Sequence, residues 1–370
     1  MKYFIFKLLK HNEVNLIRHS NNFDFLRLFA ASLVLIAHSP HVLNLDVLSW
    51  DPFSEIFSIS MGRFGVLIFF IISGFLVTMS WEKKKNIIDF FLARFLRIYP
   101  ALIVIVILCV FILGPILTTK TISEYSNHDL TNQYIQNLTI FRMYYYLPGV
   151  FEFNPTQAIN ASLWTLPYEL ACYVFLGFIG FLYILRKKTT IIIFFSLLLL
   201  IELFFYSEIR TIVIPIIGID FKTFYPLFLY FISGSIFFIL KKEIKFTLLG
   251  LILSIIILYS FNNTAFSKFL SLILLPYIVL TIAFYKPLSL NKIGKYGDFS
   301  YGLYLYTFPI QQLIVYIFDD GISLFTMTML SFLFTFPLAY LSWHIIEKPS
   351  LQIRNKFNKI KLFTTKPKLH

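Results

Sequence analysis

Cysteine is nearly missing from this sequence of 370 residues, which has only Cys109 and Cys172. Both fall inside apolar runs and no Cys/His grouping has metal-ligand spacing, so neither a disulfide framework nor a zinc site is expected. Charge is scarce too, at 14% of residues, and acids are scarcer than bases, 19 Asp and Glu against 32 Lys and Arg. A net charge of +13 would suit a nucleic-acid partner, but the basic residues occur in short clusters between apolar spans. That pattern is topological, and no nucleic acid is expected. No internal repeat is present, nor an inverted pair of broken spans of the kind that marks many transporters. No small-residue cleavage site follows the first apolar runs, so no removed signal peptide is expected.

What the chain does have is apolar residues, at 58%, and aromatic ones, at 19%. A soluble domain of this size could not hide that much apolar surface, so the fold class is an all-α polytopic membrane protein. Ten spans are expected, at 23–43, 62–81, 98–117, 165–185, 190–206, 224–240, 246–261, 268–285, 300–318 and 323–345. Each is close to the ~20 residues needed to cross a bilayer. Twenty-five Lys and Arg fall in the N-terminal arm, alternate loops and the tail, against six in the other set of loops. By the positive-inside rule both termini are then cytoplasmic. The loop from Thr118 to Ser162 is the one long outer loop, and its tyrosines Tyr134, Tyr144, Tyr145 and Tyr146 suit an interfacial or re-entrant segment or a surface that stacks on sugar rings. The residues after Glu347 read as a basic tail lying against anionic lipid rather than as another folded domain.

The first span, NFDFLRLFAASLVLIAHSPH from Asn22 to His41, carries Arg27 near its start and His38 near its end, with ten residues between them. At about 100° per residue that is roughly three whole turns, so both lie on one helix face, ~16 Å apart along the axis. Asp24 sits near the same stripe. A groove running between the two would join the cytoplasmic side to a point well inside the bilayer. An ionisable group at that depth is costly and therefore a functional candidate, the alternative being a histidine hydrogen-bonded to a neighbouring helix.

Arg94 and Arg97, in ARFLRIYPAL, are three residues apart and project from one helical face, beside Lys83, Lys84 and Lys85. Two guanidinium forks suit a phosphate-bearing cytoplasmic ligand, and equally a positive-inside anchor on lipid headgroups. In ASLWTLPYELACY, Pro167 fits a first helical turn and places Glu169 about one turn inside the outer surface, a depth matching His38. An imidazole and a carboxylate at matching depth can act as a base and its orienting partner, and a structural hydrogen bond is the alternative for the acid.

These stretches, together with GVLIFFIISGFLVT, SYGLYLYTFPI and IIEKP, resemble the membrane-bound acyltransferase 3 family of bacterial polysaccharide O-acetyltransferases over nearly the whole chain. The resemblance implies transfer of an acyl group, usually acetyl, from cytoplasmic acetyl-CoA to a hydroxyl of a polysaccharide or lipid-linked oligosaccharide presented outside. It implies His38 as catalytic base or acyl relay, Glu169 as its partner, Arg27 as a groove-lining contact, and Arg94 and Arg97 as contacts to the coenzyme A phosphates, with no metal. The implied organisation is a cytoplasmic arm over 1–22, a ten-helix transmembrane acyltransferase domain over 23–346 and a basic cytoplasmic tail over 347–370, in a bacterial inner membrane. Besides acyl-CoA, glycan and bilayer, a homo-oligomer stays open as a partner.

Two departures stand out. Many relatives carry a ninth-span histidine in a pattern like SYxLYLxH, where this chain has Thr307. Many also carry a C-terminal SGNH domain, and nothing after Glu347 reads as one. Succinyl or another acyl donor fits the same residues, and a flippase of a lipid-linked glycan that does no chemistry is the rival from another class.

Overall fold

A computed structural model describes residues 14, 21–45, 51–57, 59–182, 187–205, 208, 211–214, 218–264, 266–285, 290–318 and 321–353. The N-terminal arm, apart from a few residues, and most of the basic tail lie outside that range. Ten long helices carry the described chain: α1 (Phe23–Val42), α2 (Met61–Lys84), α3 (Ile87–Leu108), α4 (Leu166–Phe181), α5 (Lys188–Phe204), α6 (Phe221–Ile239), α7 (Leu248–Ser260), α8 (Ser267–Phe284), α9 (Ser300–Phe318) and α10 (Leu324–Leu341). The one sheet pairing among the described residues is a two-residue antiparallel ladder, Val213 with Asp220 and Ile214 with Ile219. The chain is an all-α polytopic membrane protein.

Seven helical stretches among the described residues are long and apolar enough to cross a membrane, against the ten spans expected. The difference has physical causes. Helix α7 has 13 residues, short of a full crossing, and α5 has 17, at the lower limit of one. Helix α9 has 19 residues but carries Gln311 and Gln312, whose side chains are wholly buried in the bundle, so its mean hydropathy understates how deep it lies.

Local chemistry sets the ends. The side chains of Ser60 and Asn86 accept amide hydrogens of Arg63 and Asp89 and start α2 and α3. The Asn86 cap begins α3 well before the expected span at 98, so Arg94 and Arg97 sit on the helix itself. Helix α3 then widens into a π-helical turn over Cys109–Leu113, where the Tyr125 hydroxyl donates to the Val110 carbonyl over 2.8 Å. Helix α10 passes into a second such turn over Ser342–Glu347, and the helical stretch runs on to Ile353.

The tightest crossing is α2 on α6. A Cβ at Gly74 would stand 1.9 Å from the Phe231 carbonyl oxygen, and one at Gly234 2.1 Å from the Ile71 carbonyl oxygen. Apolar side chains gain little from meeting one another in lipid, so close backbone approach through small residues carries such a contact. Ser235 adds a hydrogen bond to the Gly74 carbonyl, 3.2 Å. The close approach expected at Ser73 and Gly74 is this crossing.

The long loop is the element that most changes the picture. A capping box at Thr121 and Glu124 starts its first short helix, Ile122–Asn127. Tyr134 is wholly buried, so it takes no part in an exposed aromatic surface, whereas Tyr146 is half-exposed. From Asn154 the chain runs beside α9 toward that helix's start. Asn154 donates to the Gln312 carbonyl and side chain, 3.0 and 2.9 Å, and Gln312 donates to the Thr156 and Ala158 carbonyls, 2.7 and 2.5 Å. Further along, Asn160 donates to the Leu305 carbonyl, 2.9 Å, and Thr165 pairs with the Tyr304 hydroxyl, 2.8 Å. Irregular backbone at such depth needs partners of its own, and these amides supply them.

Candidate active site

Five elements bring ionisable groups together at the end of the bundle where α1, α3 and α9 begin. Helix α1 supplies Asp24 and Arg27, one turn apart; α3 supplies Arg94 and Arg97; α4 supplies Glu169 and, one turn on, Tyr173. The turn before α9 supplies Asp298, and the π-helical end of α10 supplies Glu347. A cavity of about 920 Å³ opens among them. Arg27, Arg94, Arg97, Glu169, Tyr173, Asp298 and Tyr301 all line it.

The charges in this cavity are interlocked. Asp298 Oδ2 lies 2.7 Å from Arg97 Nη2 and 3.1 Å from Arg27 Nη1, while Arg27 also reaches Asp24 at 3.2 Å. Glu347 lies 3.5 Å from Arg97 Nη1 and takes a 3.0 Å hydrogen bond from Ser342. Asp298 and Glu347 are buried, with side chains 6% and 2% exposed, and a lone charge there would cost several kcal/mol, so the pairing is what makes the burial tolerable. Burial alone would raise the Asp298 carboxyl. Arg97, then Arg27, then the Ser300 hydrogen bonds outweigh it and hold the group well below the usual carboxylate range, so it stays ionised at neutral pH.

Aromatic rings complete the wall. The Arg94 guanidinium stands 5.6 Å from the centre of the Tyr173 ring and that of Arg97 5.7 Å from the Tyr301 ring, distances at which a cation meets the ring face. Tyr301 donates to the Ile98 carbonyl, 3.0 Å, fixing its ring. The Tyr173 hydroxyl donates to Glu169 and also meets Ser73 Oγ at 3.0 Å.

His38 lies elsewhere. It does not line this cavity; its ring packs edge-on against Phe308 of α9, centroids 5.2 Å apart. Its Nδ1 is buried without a hydrogen-bond partner. The pairing expected of His38 with Glu169 is not seen: Glu169 lines the cavity and His38 does not, and the long loop places Thr165, one turn before Glu169, beside Tyr304. Glu169 accepts a hydrogen bond from Tyr173 among the arginines. Thr307, at the place of the relatives' histidine, is buried and donates to the Leu303 carbonyl of its own helix, 2.6 Å.

The structure thus gathers Arg27, Arg94, Arg97 and Glu169 at one cavity and leaves His38 on the α1–α9 seam. Asp298, Glu347 and Tyr173 are site residues that sequence reasoning missed. An acid directly before a tyrosine-rich span and one closing the last span were the available signals for the first two; Tyr173, one turn after Glu169, was the signal for the third.

The family profile described as an acyltransferase domain, Acyl_transf_3, matches residues 20–344. An "O-acetyl transferase" of Shigella phage Sf6 is 31% identical over 344 residues, covering 89% of this chain and 95% of that protein. A "Nodulation protein 10" of Rhizobium leguminosarum bv. viciae is 26% identical over 362 residues, covering 91% of this chain and 94% of its own. No solved structure matches.

Proposed function

We propose, from the premise that this chain belongs to the acyltransferase 3 family, that it moves an acetyl group from cytoplasmic acetyl-CoA across the membrane to a hydroxyl of a polysaccharide or lipid-linked oligosaccharide. That the chain is an acyltransferase follows from its membership and from its likeness to the phage O-acetyl transferase. The donor, the acceptor and the sidedness are our reading. The observation that carries it is the cavity: three guanidiniums from two helices converge in one space, at the end of the bundle that the positive-inside pattern assigns to the cytoplasm.

A donor bearing phosphates would enter there. Arg94 would take its oxygens in bidentate fashion, and Arg97 and Arg27, which both hold Asp298, would be shared between the donor and their carboxylate partners. The acyl arm would then lie along the α1 face toward His38, ~16 Å from Arg27 along the helix. At His38 the imidazole takes the proton of the attacking hydroxyl. The hydroxyl oxygen forms the new ester bond to the acyl carbon, the carbon–sulfur bond breaks, and the thiolate leaves to be protonated. An acyl relay on His38 needs the same residue in the same place. Glu169, with Tyr173, belongs to the donor cavity in this reading rather than to the imidazole.

Intact mass spectra of the surface glycan, from a host with the wild-type chain, with none and with His38→Ala, test it. The increment of one acetyl group, seen only with the wild type, supports the reading. A succinyl increment would change the donor, and altered glycan export with no mass change would turn the assignment to a flippase.

A further inference from the structure

Two residues that meet in the seam between α1 and α9 each keep a buried polar atom that lacks a partner. One is His38 Nδ1 and the other is Oε1 of Gln311, a residue with no solvent exposure. Each such atom costs about 1–3 kcal/mol if it stays unsatisfied. Their placement is constrained from both sides. Gln311 Nε2 donates to the Leu35 carbonyl and meets Ser39 Oγ, each at 3.0 Å, so the amide is pinned to the same turn of α1 that carries His38. His38 in turn packs on Phe308, one turn before Gln311 on α9. The orientation of the amide is also fixed by chemistry: the Leu35 carbonyl can only accept, so the nitrogen must face it and the oxygen must point away.

We propose that Gln311 is a positioning residue for His38, its Oε1 accepting the Nδ1–H of the imidazole and so presenting Nε2 as the nitrogen that takes the proton. This rests on the reading of His38 as the base. The two atoms are complementary, one a donor in the Nδ1–H tautomer and the other an acceptor. The ring torsion of a histidine is soft enough to turn one toward the other. The amide oxygen then stabilises the imidazolium that forms as the hydroxyl proton arrives, the part an orienting group plays for a catalytic histidine. In this chain the group comes from position 311, one turn beyond Thr307, whose own hydroxyl is engaged by Leu303.

The test measures acyl transfer in membranes containing equal amounts of full-length wild type, His38→Ala, Gln311→Leu, Gln311→Glu and the His38→Ala/Gln311→Leu pair. Gln311→Leu lowers kcat about tenfold to a hundredfold with the donor KM held within about twofold, the mark of a misoriented base. Gln311→Glu keeps acceptor oxygens and loses the amide donor that ties α9 to α1. Positioning therefore predicts rescue to within about threefold of wild type, whereas a purely structural role predicts a loss as deep as that of leucine. In the His38→Ala background the leucine change has no further effect. Wild-type kcat in Gln311→Leu, or a glutamate variant as impaired as leucine, overturns the proposal while leaving His38 in place. Full activity in His38→Ala overturns the reading beneath it. Should Gln311→Leu fail to accumulate, the glutamate variant alone decides.

Discussion

The two ends of α1 solve opposite problems. At Arg27 every carboxylate and guanidinium of the Asp24, Arg27, Arg97, Asp298 and Glu347 group meets an opposite charge, and the group as a whole is close to neutral. At His38, three turns on, the neighbours are Phe308, Ser39 and Gln311, and polar atoms are left without partners. The comparison teaches that charge inside a membrane bundle is held by reciprocal pairing, whereas the histidine proposed as the base keeps an unsatisfied ring nitrogen. The first region is held together by those ion pairs. The second waits for something to complete it.

The comparison breaks most sharply at the histidine. Replacing His38 by alanine removes the proposed base together with its edge-on contact to Phe308, and acyl transfer falls about 10²–10⁴-fold with the protein still in the membrane, read by product mass against a quantified membrane band. At the other end Asp298→Asn removes the carboxylate that Arg27 and Arg97 share, leaving Arg27 with Asp24 and Arg97 with Glu347. Removing one partner of a buried ionic group costs about 3–5 kcal/mol, so a lowered midpoint of thermal unfolding in detergent is expected, a larger drop than losing the His38 ring from Phe308 gives. Gly74→Ala tests whether the frame holding both ends is as close-packed as it looks. A methyl against the Phe231 carbonyl forces α2 from α6 and costs about 1–3 kcal/mol, read in the same unfolding assay, with both ends of α1 affected alike. The smallest effect is expected of Arg94→Lys. It keeps the charge and loses the planar fork over Tyr173, so the KM for the donor rises several-fold, about 1 kcal/mol, with kcat little changed.

Much of this was legible in the sequence, and the reasons are local. The apolar run from Phe23 reads as one helix because its length fits a crossing, and α1 ends at Val42, one residue short of the expected 43. Arg94 and Arg97 share a face because three residues are close to one turn. What was not legible depended on distance. Asp298 is 271 residues from Arg27 and 201 from Arg97, and no local pattern links an acid in a basic loop to arginines on two other helices. Glu347 reads as the boundary of a tail until the end of α10 brings it to Arg97. Glu169 was read from Pro167 as the first turn of a span, correctly for the helix. Its neighbours are set at long range: Asn154, Asn160 and Gln312 tie the preceding loop beside α9, a tertiary effect that propensities at Pro167 do not encode.

That same loop has a consequence for the cell's energy supply. A protein that hands a group from one side of a membrane to the other needs a passage, and a passage filled with water at both ends conducts protons and sodium as readily as it admits a substrate. The chain from Asn154 to Thr165 is sewn to α9 by amide side chains, and its last residue forms part of the wall of the arginine-lined cavity. Under the proposed function this segment stands where a stopper is needed, so that an acyl group and not a current would cross.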